Sequence, residues 1–117
     1  MNYINFYKQL RLMLIYDLPM KEETDKKSYS KFHNKITRLG FYMIQYSVYT
    51  KVLTNESNYL QIKNKLNTII PNSGSIIIFK ITEKQFQDLI YLRGERNKFE
   101  SIVGGNEFVV FRGDRDD

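Results

Sequence analysis

The sequence predicts a single α+β domain in which two helices lie on one face of an antiparallel sheet, in the order β-α-β-β-α-β. Three observations predict it. Apolar residues recur with helical period in two separate stretches, Thr24–Leu39 and Asn55–Ile70. Runs rich in β-branched and aromatic residues flank and separate those stretches. Pro19, Gly40 and Pro71 stand at junctions between the two kinds of pattern. With 117 residues the chain is long enough for one hydrophobic core, and no interior stretch has the composition of a linker. Residues 1–117 therefore read as one domain, with 1–9 an N-terminal extension and 112–117 an acidic tail.

Gln9–Tyr16 is the first strand, closed by Pro19, which also pushes Leu18 toward an extended conformation. Over Thr24–Leu39, Tyr29, Phe32, Ile36 and Leu39 make one helical stripe, and Gly40 occupies a C-terminal cap position. Phe41–Leu53 (FYMIQYSVYTKVL) is long for one strand and divides best into two, bent at Gln45–Ser47. The second helix carries Tyr59, Ile62, Leu66 and Ile69, and Pro71 with the NSG turn stops it. Ser75–Ile81 (SIIIFKI) is a strand. Thr82 opens TEKQ, a capping-box pattern that starts a short helical segment with Phe86, Leu89 and Ile90. RGERNK is a polar loop, and Phe108–Phe111 (FVVF) reads as a last strand.

This order is that of the ferredoxin-like fold, here with an extra C-terminal strand. SIIIFKI and LMLIY are apolar on both alternating faces, whereas two helices cover only one. The uncovered face would be a large exposed apolar patch, so a homodimer with sheet-to-sheet packing is expected.

Composition narrows the function. The chain is 42% hydrophobic and 26% charged, and it contains no cysteine, which excludes a disulfide framework, thiolate catalysis and Cys-based zinc sites. No apolar run approaches the ~20 residues of a membrane span, and Met1–Tyr16 lacks a small-residue cleavage site. A cytoplasmic protein is the expectation. The net charge of +5 is unevenly placed: residues 1–51 carry nine basic and four acidic side chains, while the remainder balances nine against nine. Such asymmetry suggests a face that binds a polyanion, although solubility alone also accounts for it.

No Gly-rich phosphate loop, His/Glu metal cluster or Ser-His-Asp set is discernible. His33 falls at the edge of the first helix's apolar stripe and reads as a packing residue ahead of a general base. Asp17, at the end of the first strand, is the best acidic candidate. One carboxylate holds Mg²⁺ poorly, but two copies meeting at a dimer axis could share the ion and acidify a bound water. A turn or cap role for Asp17 is the plainer alternative. Lys27, Lys31, Lys35 and Arg38 make one basic stripe on the first helix, either a solvated face or a row of phosphate contacts that would position a backbone without reading sequence. The tyrosines of Phe41–Tyr49 could stack on bases, though strand propensity accounts for them. Arg93, Glu95 and Arg96 form either a solvated loop with local ion pairs or a docking surface for a partner.

Taken together, LMLIYDLP, the basic helix, GFYMIQYSVYTKVL and ITEKQFQDLIYLRGERN resemble CRISPR-associated protein two, from about Arg11 to Phe111. This is the endoribonuclease-type subunit of the spacer-acquisition module. TEKQF and GERN look like the branch that accompanies type II systems. The resemblance implies a homodimer in which the last strand of one chain joins the partner's sheet. It implies one magnesium ion per dimer, held by Asp17 of both chains, with Ser47 and Tyr49 matching the family's serine and following aromatic beside that site. Lys31 falls where members often carry a basic residue, while Tyr29 and Met43 stand where some carry arginines, a departure that bears on nuclease efficiency rather than on fold.

The family resemblance implies two separable activities. One is metal-dependent cleavage of RNA or DNA. The other is non-catalytic: the dimer bridges integrase dimers and carries a protospacer duplex on its basic surface. Spacer acquisition is the expected role. A toxin-like RNA interferase acting without an integrase is the alternative, and a metabolite-binding regulatory domain is disfavoured by the basic stripe.

Overall fold

The computed structural model describes residues 9–95. Phe108–Phe111, Arg96, the acidic tail and nearly all of the N-terminal extension lie outside the described residues. Seven elements follow in order: β1 (Leu10–Asp17), α1 (Glu23–Arg38), β2 (Tyr42–Gln45), β3 (Val48–Leu53), α2 (Glu56–Asn67), β4 (Ser75–Thr82) and α3 (Glu83–Gln87). The four strands form one antiparallel sheet in the order β2-β3-β1-β4. That is the ferredoxin-like arrangement expected from the element order. No helix among the described residues is long and apolar enough to cross a membrane.

The long 41–53 stretch does divide in two. Met43 pairs with Tyr49 and Gln45 with Val48, with a register shift between them, and Tyr46–Ser47 make the turn. Ser47 sits at φ 68°, the left-handed region that residues with a Cβ rarely enter. At the end of α1 the Gly40 N–H donates to the Thr37 carbonyl and the Phe41 N–H to that of Ile36, satisfying two terminal acceptors. Asn55 caps α2 by accepting from the Asn58 N–H.

Alternation along β1 sends Leu12, Leu14 and Tyr16 toward the helices, where they meet Phe32 and Ile36 of α1 and Ile62 and Leu66 of α2. Each such side chain, fully buried, contributes about 1.5–3 kcal/mol. The opposite face differs from the expectation in one respect: it is not wholly bare. Immediately after β4 the chain turns onto it, and Phe86 packs with Met13 and Ile44 as a second, smaller core. A buried arginine fixes this crossing. Arg11 donates to both Glu83 carboxylate oxygens at 2.8 and 3.0 Å and to the Tyr42 hydroxyl, and its guanidinium lies over the Phe86 ring. Burial opposes the Arg11 charge, but Glu83 and Tyr42 outweigh it and raise its pKa. Beyond α3 the face stays open at Ile77 and Phe79, 53% and 42% exposed, with Ile15 half-buried between the covered and open parts.

Candidate functional site

Asp17 ends β1 opposite Ser75 of β4 and is exposed. Two turns fix it from either side. The Ser47 carbonyl in the β2–β3 turn accepts from the Tyr16 N–H at 3.1 Å. In the α2–β4 turn Gly74, at φ +92°, lies so close that a Cβ there would stand 2.6 Å from the Asp17 carbonyl oxygen and 2.4 Å from Leu18 Cδ2. Leu18 is itself buried, anchoring the chain one residue beyond. Among the described residues no hydrogen bond or ion pair engages the Asp17 carboxylate. By strand alternation it falls on the face away from the helices, the same face as Ile15 and Ile77.

Behind the strand end lies a cluster of rings. Tyr16 stacks on Tyr49 (5.5 Å between centroids, 19°) and meets Tyr29 and Phe32 edge-on. The Tyr49 ring is wholly buried, with its hydroxyl in contact with His33 Nδ1 and 3.1 Å from that of Tyr16. Burial pushes the Tyr49, Tyr16 and Tyr29 hydroxyls up and the His33 imidazole down, so neutral forms meet here. His33 is thus placed as a packing residue bonded to the core. Ser47 and Tyr49 flank the Asp17 strand end, one through its backbone and the other through Tyr16.

No group of three or more His, Asp or Glu able to hold a metal occurs among the described residues. Among the described residues one chain offers at the Asp17 strand end a single carboxylate, the right chemistry for Mg²⁺ but short of a site without a second contribution. Asp25 of α1 is committed to the helix start, accepting from the Lys21 and Glu22 N–H groups.

The stripe is separate from this end-on cluster. Lys27, Lys31 and Arg38 are exposed and Lys35 is half-buried, and none of the four forms a salt bridge among the described residues. Arg93 and Glu95 are exposed in the segment after α3. Gly74 was not legible as a candidate residue, and Tyr46, in the turn between β2 and β3, was legible only as one of several tyrosines that could stack on bases. For Gly74 the signal was the NSG turn itself, whose close approach to β1 is a tertiary fact.

The model of the CRISPR associated protein Cas2 family matches residues 10–89, from the first residue of β1 to just past α3. The chain belongs to the Cas2 family. It is 37% identical over 105 residues to a CRISPR-associated endoribonuclease Cas2 of Streptococcus mutans, covering 90% of this chain and 94% of that protein. A Cas2 of the same description from Ligilactobacillus salivarius is 36% identical over 89 residues, covering 76% of this chain and 88% of its own. A crystal structure of Cas2 superposes with a TM-score of 0.55 at 16% identity, over 78% of this chain and 93% of that one, which supports the shared fold. The chain is therefore a CRISPR-associated protein, and the matched span includes both turns that hold Asp17.

Proposed function

We propose that this Cas2 chain serves spacer acquisition as a homodimer that bridges integrase subunits and carries a DNA duplex on its basic surface. In the same reading, two Asp17 carboxylates meeting across the dimer give it a magnesium-dependent phosphodiesterase centre. The observation that carries this is the coincidence of three features on one sheet face: an exposed carboxylate with no partner among the described residues, a rigid strand end beneath it, and the uncovered apolar residues Ile77 and Phe79. A dimer through that face closes the apolar patch and completes the donor set in one step. The outer edge of β4 is unpaired among the described residues, an opening for the partner's Phe108–Phe111 segment.

Each residue then has a task. Asp17 of each chain would hold Mg²⁺, which when bound neutralises charge developing on the phosphate. Ser47 and Gly74 keep the strand end from shifting. Tyr49, buried and bonded to His33 and Tyr16, is a positioning residue that braces β1 from behind. Lys27, Lys31, Lys35 and Arg38 contact phosphates, and Arg93, Glu95 and Arg96 offer the integrase a polar docking loop. The relatives' description as endoribonucleases favours RNA as the cleaved strand in a second reading, in which the enzyme acts without an integrase.

Reconstitution with the integrase and a short duplex tests both. Asp17→Asn is expected to abolish magnesium-dependent cleavage while integration continues. Replacing the four stripe residues with Gln is expected to weaken duplex binding and reduce its salt slope by roughly 0.9 per lost phosphate contact. Unchanged cleavage by Asp17→Asn sinks the metal assignment; an unaltered slope places the duplex elsewhere.

A further inference from the structure

Tyr46 is an exposed ring in an arrangement that burial does not explain. It occupies the tip of the β2–β3 turn with 63% of its surface open, yet its ring lies nearly parallel to that of Tyr29, 5.7 Å between centroids and 15° between planes. Tyr29 is held edge-on by Tyr16 at 5.3 Å, and Tyr16 by Phe32 and Tyr49, so the stack is rooted in the main core. Among the described residues the buried Tyr29 hydroxyl has no hydrogen-bond partner.

The backbone is equally constrained. Gln45 pairs with Val48 on either side of the turn, the Ser47 carbonyl is bonded to β1, and Ser47 adopts φ 68° without being Gly, Asn or Asp. The positive φ closes a two-residue turn and holds Tyr46 at its tip.

We infer that the outer face of Tyr46 is a stacking platform for one unpaired nucleobase, beside the Asp17 strand end. The inference rests on the nucleic-acid reading above. A preoriented aromatic face with its other side already packed suits a flat π-system, which gains stacking without an ordering cost in the protein. The surrounding charge suits a nucleotide. Lys26, three residues before Tyr29 on the same side of α1, is exposed. Of the acids on that side, Asp25 lies one turn before Tyr29 with its carboxylate accepting from the Lys21 and Glu22 N–H groups, and Glu22 stands about two turns away at the helix start. Ser47, next in sequence, bonds through its carbonyl to Tyr16, the residue before Asp17. A strand with one base on Tyr46 is therefore registered relative to the carboxylate. Bases within an intact duplex have no free face, so the site selects single strands or frayed ends.

The test compares wild type, Tyr46→Trp and Tyr46→Leu on a single-stranded oligoribonucleotide of about ten nucleotides bearing 2-aminopurine, and on a blunt DNA duplex. Tyr46→Leu is expected to weaken single-strand binding roughly five- to hundred-fold, equally at low and high salt, and to leave duplex affinity unchanged. Wild type and Tyr46→Trp quench the 2-aminopurine; Tyr46→Leu does not. Single-strand affinity unchanged in Tyr46→Leu overturns the inference, as does an equal loss on both probes or a lower unfolding midpoint with binding intact, which would make Tyr46 a cover for Tyr29. A wild type that binds neither probe removes the nucleic-acid reading itself and this inference with it.

Discussion

Gly74 illustrates how one residue without a side chain fixes another that has one. Its φ of +92° is shared by Gly94 at +89°, but their surroundings differ. A methyl at 94 would find its nearest neighbour, Tyr91 Cδ2, at 4.0 Å, whereas at 74 it would collide with the Asp17 carbonyl oxygen and Leu18 Cδ2. Gly94→Ala should thus cost only the left-handed backbone term, about 1–2 kcal/mol. Gly74→Ala should cost more, about 2–4 kcal/mol, because the strand end must also move. Urea unfolding of the two variants measures the difference, and magnesium-dependent cleavage should fall in Gly74→Ala alone. Equal costs would mean that the α2–β4 turn yields freely and does not position Asp17.

Among the elements, α3 is the one that cannot stand by itself. Five residues are far too few for an isolated helix. The Thr82 capping box begins it, the Glu83 N–H donates to the Gln9 carbonyl at 2.7 Å, and Phe86 and the Arg11–Glu83 pair hold it on the sheet. Removing one partner of a buried pair leaves an uncompensated charge, so Glu83→Gln is expected to cost about 3–5 kcal/mol. Replacing both, Arg11→Met with Glu83→Leu, should cost less than the single change. Unfolding free energies by urea denaturation decide this, and a double variant worse than the single would show that the pair itself stabilises α3. The start of α3 was legible because TEKQ is a local signal, and so were α1, α2 and the split at Gln45–Ser47, where period and turn chemistry act within a few residues. Its destination was not. Arg11 and the carboxylate that fixes it lie 72 residues apart in the chain. Asp17 was legible as a candidate site residue through motif resemblance; its bracing by Gly74 and the exposed stack of Tyr46 on Tyr29 depend on tertiary approach, which periodicity does not encode.

At the scale of the whole molecule, the second sheet face decides whether the site can be complete. α3 covers the Arg11–Met13–Ile44 end of that face, leaving Ile77 and Phe79 exposed on β4 toward the end that carries Asp17. An apolar strip beside a free carboxylate is poor design for a monomer surface but suits a twofold interface, where each chain shields its copy's strip and supplies the second carboxylate. A stable dimer needs about 800 Å² per partner, so the proposed dimer would also draw on the β4 edge. Placing charge on the strip should separate the chains without touching the core: Ile77→Lys with Phe79→Lys is expected to turn a dimer into a monomer in light scattering at micromolar concentration. The monomer should keep its fold by circular dichroism and its Tyr46-dependent quenching of 2-aminopurine, because the ring stack lies within one chain. It should lose magnesium-dependent cleavage, since each Asp17 then stands alone. A wild-type chain that is monomeric at that concentration, or a charged variant that still cleaves, would show that the carboxylates do not need each other.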